Sequence, residues 1–274
     1  MTPKNPTTPP QELWRAHTGR SDLWVALLAP HVWLALGWHD IKQRYRRSVI
    51  GPFWFTLSTL LMVGALGFVY STLLGQSLRE YLPYLGVGLV VWQYIGSVIN
   101  EGCSAFISGS FLIKQVRIPL TIHAIRVVWR NFVILLHSLP VVIILMMFFG
   151  KFPNWELLMI FPGLVILFLQ GVWVVVVSAT ICSRFRDVVP IATNFVTIAF
   201  FVTPVLWPAS QLGNLAWVAE WNPLYHTIEI IRAPVLGGDL HWQSWVWSLG
   251  LLVAGFSFAQ YLMTRVRERV AYWI

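Results

Sequence analysis

The 274-residue chain is 57% hydrophobic and only 11% charged, with a mean hydropathy of +0.67. Soluble domains carry roughly 25% charged residues, so a water-soluble globular core is excluded and lipid is the solvent for most of the chain. The formal charge of +8 does not point to nucleic acid, because the basic residues sit in short clusters between apolar runs instead of along one polar face.

Residues 1–22 open with "MTPKNPTTPP", polar and proline-rich, and read as a disordered tail without the charged start and apolar stretch of a cleavable signal. Residues 23–47 are apolar from Leu23 to Trp38 but short for a span and broken at Pro30 and His31. Counted as a span, this stretch makes seven and puts the N-terminus outside. An amphipathic helix in the cytoplasmic interface, with Trp33 and Trp38 at headgroup depth, is the reading preferred here. Residues 48–274 then hold six spans: about 50–74, 83–107, 118–149, 155–182, 190–207 and 245–263. The third has 32 residues, about 48 Å at 1.5 Å each against about 30 Å of hydrocarbon, so it tilts or protrudes. Residues 211–243 are too broken for a span and too apolar for a plain loop. Short segments dipping back into the membrane against protein fit them.

Basic residues alternate with the spans. Arg44, Arg46 and Arg47, then Lys114 and Arg117, then Arg184 and Arg186, then Arg265, Arg267 and Arg269 fall on one side of a six-span chain. Positive residues mark the cytoplasm, which places both termini there. Cys103 and Cys182 fall near cytoplasmic helix ends without metal-ligand spacing, and are expected as reduced thiols.

No G-x-x-x-x-G-K-[ST] occurs, so no ATP-phosphate cradle is expected in this chain. Asp22, Asp40, Asp187 and Asp239 are isolated along the sequence, without the clustered carboxylates that hold Mg²⁺ in a membrane transferase. His123, Arg126, Arg130 and His137 recur on one face of the third span. Two readings stand for Arg126 and Arg130: a stripe facing a cavity that admits an anionic headgroup, or a helix end projecting into water. Glu101 is expected to pair with Lys114 or Arg117. "GSFLIKQVRIPL" has Phe111, Leu112 and Ile113 beside Lys114 and Arg117, which suits either docking of a soluble partner or an ordinary interface turn. Asp187 is expected to cap the fifth span, with Arg186 beside it.

Five motifs in order carry a resemblance. They are Arg44-Tyr45 with Ser48, Ile50, Gly51 and Trp54; "FLIKQVRIPL"; "RFRDV"; "FFVTPVLWP"; and "NPLYHTIEIIR". From about residue 34 onward the chain resembles the transmembrane subunit of ABC-2 type polysaccharide exporters. The first thirty residues are longer than that pattern, and Arg46-Arg47 is an extra basic pair. The resemblance implies an all-α integral membrane protein with an N-terminal interface helix, six spans, and re-entrant helices between spans five and six. It implies a homodimeric pore in the bacterial inner (plasma) membrane and two copies of a separate ATPase subunit that carries ATP and Mg²⁺. The cargo would be an O-antigen-like glycan on a polyprenyl diphosphate. In that scheme Phe111, Leu112, Ile113, Lys114 and Arg117 couple to the ATPase, and Arg44, Tyr45, Arg46 and Arg47 flank the lipid-diphosphate entrance. His123, Arg126 and Arg130 would face the cavity, Arg186 and Asp187 belong to a cytoplasmic loop, and Pro204, Asn222, Pro223 and Tyr225 form the outer gate. The alternatives are an ABC-2 type lipid or drug exporter and, in another class, a membrane transferase acting on polyprenyl phosphates. A passive channel ranks third.

Overall fold

A computed structural model describes residues 19–46, 51, 53–116, 118–150, 155–238 and 240–274. Arg47, Arg117 and most of the N-terminal tail lie outside the described residues. Twelve α-helices follow one another among those described, with no strand. Helices α1 (Gly19–Leu27) and α2 (Pro30–Tyr45) lead to α3 (Phe53–Leu73) and α4 (Leu78–Cys103). The short α5 (Ala105–Ser108) and α6 (Ser110–Gln115) precede α7 (Leu120–Phe148). A 3-10 turn, Trp155–Met159, runs into α8 (Ile160–Arg184), followed by α9 (Val188–Val202). A second 3-10 stretch, Ala209–Leu215, then leads to α10 (Trp217–Glu220), α11 (Pro223–Leu236) and α12 (Trp242–Trp273).

Among the described residues, five helical stretches are long and apolar enough to cross a membrane: Phe53–Leu73, Leu78–Cys103, Leu120–Phe148, Trp155–Arg184 and Trp242–Trp273. The chain is therefore a multi-pass membrane protein. The apolar run at 190–207 forms only the 15-residue α9, about 22 Å long, because Pro204 denies the helix a donor and disfavours helical backbone at Thr203. The last helix is longer than its apolar run. It continues without a break past Met263 through Arg265, Arg267 and Arg269.

The core is organised around α4, which packs against α3, α7, α8, α9 and α11. Its face toward α11 is opened by Gly88, where a Cβ would meet the Arg232 guanidinium at 2.7 Å. Such small residues let helices approach closely in lipid, where packing replaces the hydrophobic drive. By contrast α3 keeps most of its surface outward, including Phe53, Trp54, Leu61 and Phe68.

The N-terminal apolar stretch is two helices broken before Pro30, not one. Trp38 is half-exposed, but Trp33 is packed inward, its ring centroid 5.6 Å from Trp129 on α7 and 5.9 Å from Phe168 on α8. Helix α1 is fastened to the bundle by a buried carboxylate. Asp22 accepts from the Thr121 backbone N–H at 3.0 Å and its hydroxyl at 2.8 Å, capping the start of α7 from outside. It also pairs with Arg267 on α12 at 2.9 Å. One side chain thus satisfies an orphan donor of α7 and ties three helices together. Asp22→Ala is expected to cost about 2–3 kcal/mol and Thr121→Val about 1 kcal/mol, read as thermal unfolding midpoints in detergent.

Candidate functional site

The charged residues of the first helices and spans converge where α2, α4 and α7 meet. Asp40 and Arg44 are a helical turn apart on α2, so they share a face. Arg126 and Arg130 repeat that spacing on α7. Arg126 binds Asp40 in a bidentate fork, Nε to Oδ2 at 2.5 Å and Nη2 to Oδ1. Arg130 bridges two acids, Nη1 to Asp40 Oδ2 at 3.2 Å and Nη2 to Glu101 Oε2 at 2.6 Å. Glu101 also accepts from Asn131 Nδ2 at 2.7 Å and from Arg44 Nη1 at 3.2 Å. Three guanidiniums thus face two carboxylates, an excess of one positive charge.

The network lines a cleft of about 540 Å³ walled by Asp40, Gln43, Arg44, Glu101 and Arg130, with Ser104 and Ser108 at its end. Arg44 is the least constrained cation there, 40% exposed and held by one long contact. Its guanidinium also lies over the Phe55 ring, 5.4 Å from the centroid. Tyr45 beside it packs edge-on against Phe55, and burial pushes its phenol above the ordinary range while Arg44 pulls the other way. Arg46 is exposed at the end of α2.

Several expectations are corrected here. Glu101 pairs with Arg44 and Arg130, not with Lys114, whose Nζ instead donates to the Ile274 main-chain oxygen at 2.6 Å. Asp40, isolated along the sequence, is the hub in space. His123 is 1% exposed, with neither ring nitrogen bonded to a described residue, and it is not among the residues that line the cleft. Arg130 lines the cleft and Arg126 does not, and both already carry acid partners. Asp187 stands at the N-cap of α9 without a side-chain capping bond, and both it and Arg186 are exposed. Cys103 and Cys182 are free and buried. Among the described residues no group of three or more His, Cys, Asp or Glu is placed to hold a metal.

Past α5, α6 buries no residue of its own. Phe111 is 71% exposed, with Leu112 and Ile113 half-buried behind it.

A second polar assembly lies at the other end of α4. The chain unwinds after α9, and the exposed carbonyls of that break are claimed from two sides. Arg232 on α11 is 1% exposed. It donates to the Pro204 carbonyl at 2.9 Å and to Glu229 at 3.0 Å, and its guanidinium lies 4.0 Å from the Tyr84 ring centroid. Tyr84 donates to the Pro204 and Trp207 carbonyls at 3.1 Å, and Tyr81 donates to Leu206. Asn222 caps α11 through Leu224 N–H at 2.9 Å and Tyr225 N–H at 3.3 Å, with Pro223 in the first turn, and donates to Thr203 at 3.0 Å. The sequence singled out Pro204, Asn222, Pro223 and Tyr225 here. It missed Tyr81, Tyr84, Glu229 and Arg232, although an ionisable pair inside an apolar segment is the signal that marks them.

Because the inner network is mostly buried, its acids are structurally costly to remove. Asp40→Ala strands the Arg126 guanidinium and takes one of two acids from Arg130, and is expected to destabilise by about 3–5 kcal/mol, whereas Asp40→Leu with Arg126→Leu recovers at least half of that loss. The comparison is made by thermal unfolding of detergent-purified variants.

The family model for "ABC-2 type transporter" matches residues 31–236, which spans α2 through α11. A protein named O-antigen export system permease protein RfbA from Myxococcus xanthus is 29% identical over 182 residues, 66% of this chain and 70% of that protein. Two proteins of the same name from Klebsiella pneumoniae are 25% identical. One match covers 84% of this chain and 91% of the relative, the other 74% and 80%. With three quarters of its length under the family model, and the five motifs falling in order on its helices and their junctions, the chain belongs to the ABC-2 type transporter family.

Proposed function

We propose that the chain is the transmembrane subunit of an ATP-driven exporter that carries a polysaccharide linked to polyprenyl diphosphate across the bacterial inner membrane. Two copies form the pathway, and two copies of a separate ATPase subunit, holding ATP and Mg²⁺, drive it. The chain itself is a non-enzymatic transport subunit without a cofactor. All three relatives are named as O-antigen export permeases, which supports a glycan over a drug as cargo.

In this reading α9 is a sixth, short span, α2 lies in the cytoplasmic interface, and residues 209–236 re-enter the outer side. Both termini are cytoplasmic. Residues 1–22, 23–47 and 48–274 are the tail, the interface region and the transmembrane domain. The exposed apolar knob of Phe111 on α6, with Lys114 behind it, suits docking on the ATPase.

The observation that carries the reading is the cleft at Arg44. A cation with an exposed, weakly held guanidinium stands among charges that net positive, where the end of α2 meets α4. A diphosphate arriving along the interface meets a bidentate-capable donor without having to break the tighter Asp40–Arg126 fork.

The test uses a strain lacking the gene, complemented with variants. Arg44→Glu should insert at the normal level and retain the ATPase subunit while surface polysaccharide falls about tenfold or more. Normal export would remove Arg44 from the entrance. Phe111→Asp should insert normally yet lose about tenfold in co-purified ATPase; unchanged co-purification would remove α6 from the docking surface.

A further inference from the structure

A second pocket, about 380 Å³, lies beside the cleft between α3, α4 and α7, and Arg44 lines both. Its wall differs from the rest of the spans. Ser58, Thr59, Gln93, Ser97 and Asn131 face it, next to Trp54, and Arg44 is the one charged residue among the described residues that line it.

Polar side chains in spans commonly satisfy one another, and part of this wall does so. Thr59 Oγ1 donates to Gln93 Oε1 at 3.0 Å, and Asn131 Nδ2 is spent on Glu101 and on the Val127 carbonyl. Three groups remain. The Gln93 Nε2 amide and the Ser58 and Ser97 hydroxyls bond no other described residue. Gln93 and Ser97 are a helical turn apart on α4, so their free groups point to one place. Unengaged donors within a membrane span are costly unless something polar meets them. The occupant that fits is neutral, rich in hydroxyls and of small-ring size, with an apolar face for the Trp54 ring. Such a molecule is a sugar.

We propose that this pocket is the subsite for the sugar residue attached directly to the carrier phosphate. Gln93 and Ser97 hydrogen-bond its hydroxyls while Arg44, shared by pocket and cleft, holds the phosphate. The assignment rests on the reading of the cargo as a polyprenyl-diphosphate glycan and deepens it. It makes α4 the element that reads the first sugar, before any longer glycan is sensed.

The experiment measures binding of polyprenyl diphosphate and of polyprenyl-diphosphate-linked hexose to the full chain in lipid nanodiscs. The hexose-bearing lipid should bind the native protein about tenfold tighter, the value of one or two net hydrogen bonds. Gln93→Leu with Ser97→Ala should reduce it to the affinity of the bare carrier, whose own binding stays unchanged. Arg44→Gln should weaken both lipids. Ser97→Ala alone breaks no bond within the protein, so it should keep the native unfolding midpoint and lose about threefold for the hexose-bearing lipid only. Equal affinities for the two lipids in the native protein, or a hexose preference that survives the double variant, would overturn the subsite and leave the carrier reading standing. Failure of both lipids to bind would overturn the carrier reading and the subsite together.

Discussion

Two carboxylates, Asp40 and Glu101, govern the end of the bundle where α2, α4 and α7 meet. Each takes bonds from guanidiniums on other helices, and Arg130 joins the two acids into one network. Without them, α7 could not run its arginines along the inside of the bundle, because an unpaired buried charge is far more costly than the pair. The network also fixes α2 against the spans. Asp40 is only 8% exposed, on the same face of α2 as the buried Gly37 and Ile41, so the ionic fork and apolar packing act together on its register.

The same helix that supplies Glu101 carries Tyr81, Tyr84 and Gly88 at its other end. Backbone groups within a bilayer must find partners inside the protein, and the break after α9 leaves carbonyls that the helix pattern no longer serves. Tyr81, Tyr84 and Arg232 take up those of Pro204, Leu206 and Trp207. Helix α4 is 26 residues long, about 39 Å. It is therefore a single rod with an ionic anchor at one end and a backbone clasp at the other, and α6 follows its inner end after one short helix. On the proposed reading, a displacement imposed at α6 would reach both polar assemblies through this rod.

Much of this was legible in the sequence and some was not, for physical reasons. Apolar runs of span length are local facts, but the run at 190–207 reads as a full span and folds as a 15-residue helix, and Asn222-Pro223 reads as part of an outer gate and folds as a helix cap. The two-helix break at Pro30 was visible as a proline but not as an inward turn of Trp33. Asp40 reads as a solitary acid because its partner Arg126 is 86 residues away. Glu101 was matched to the nearest bases in sequence, while the structure supplies Arg44 and Arg130 from other helices. Glu229 and Arg232 lie in a segment broken by prolines and glycines in the sequence. Only packing against Gly88 and Tyr84 reveals that they are buried.

The arginines of the inner network differ in how far an incoming anion can recruit them. Arg126 is locked by two short bonds to one carboxylate, and Arg130 is shared between two. Displacing Arg126 breaks the bidentate fork on the buried Asp40, and displacing Arg130 breaks the link between the two acids. Arg44 alone is substantially exposed, holds its acid by one 3.2 Å contact, and can turn away while Glu101 keeps Arg130 and Asn131. On the proposed reading, the fixed pair sets a positive field and Arg44 is the movable donor within it. A phosphate that draws Arg44 from Glu101 gains a ligand without unfolding the anchor. The same side chain then stands at the mouth of the Gln93 pocket, so anion capture and inspection of the attached sugar occur at one residue.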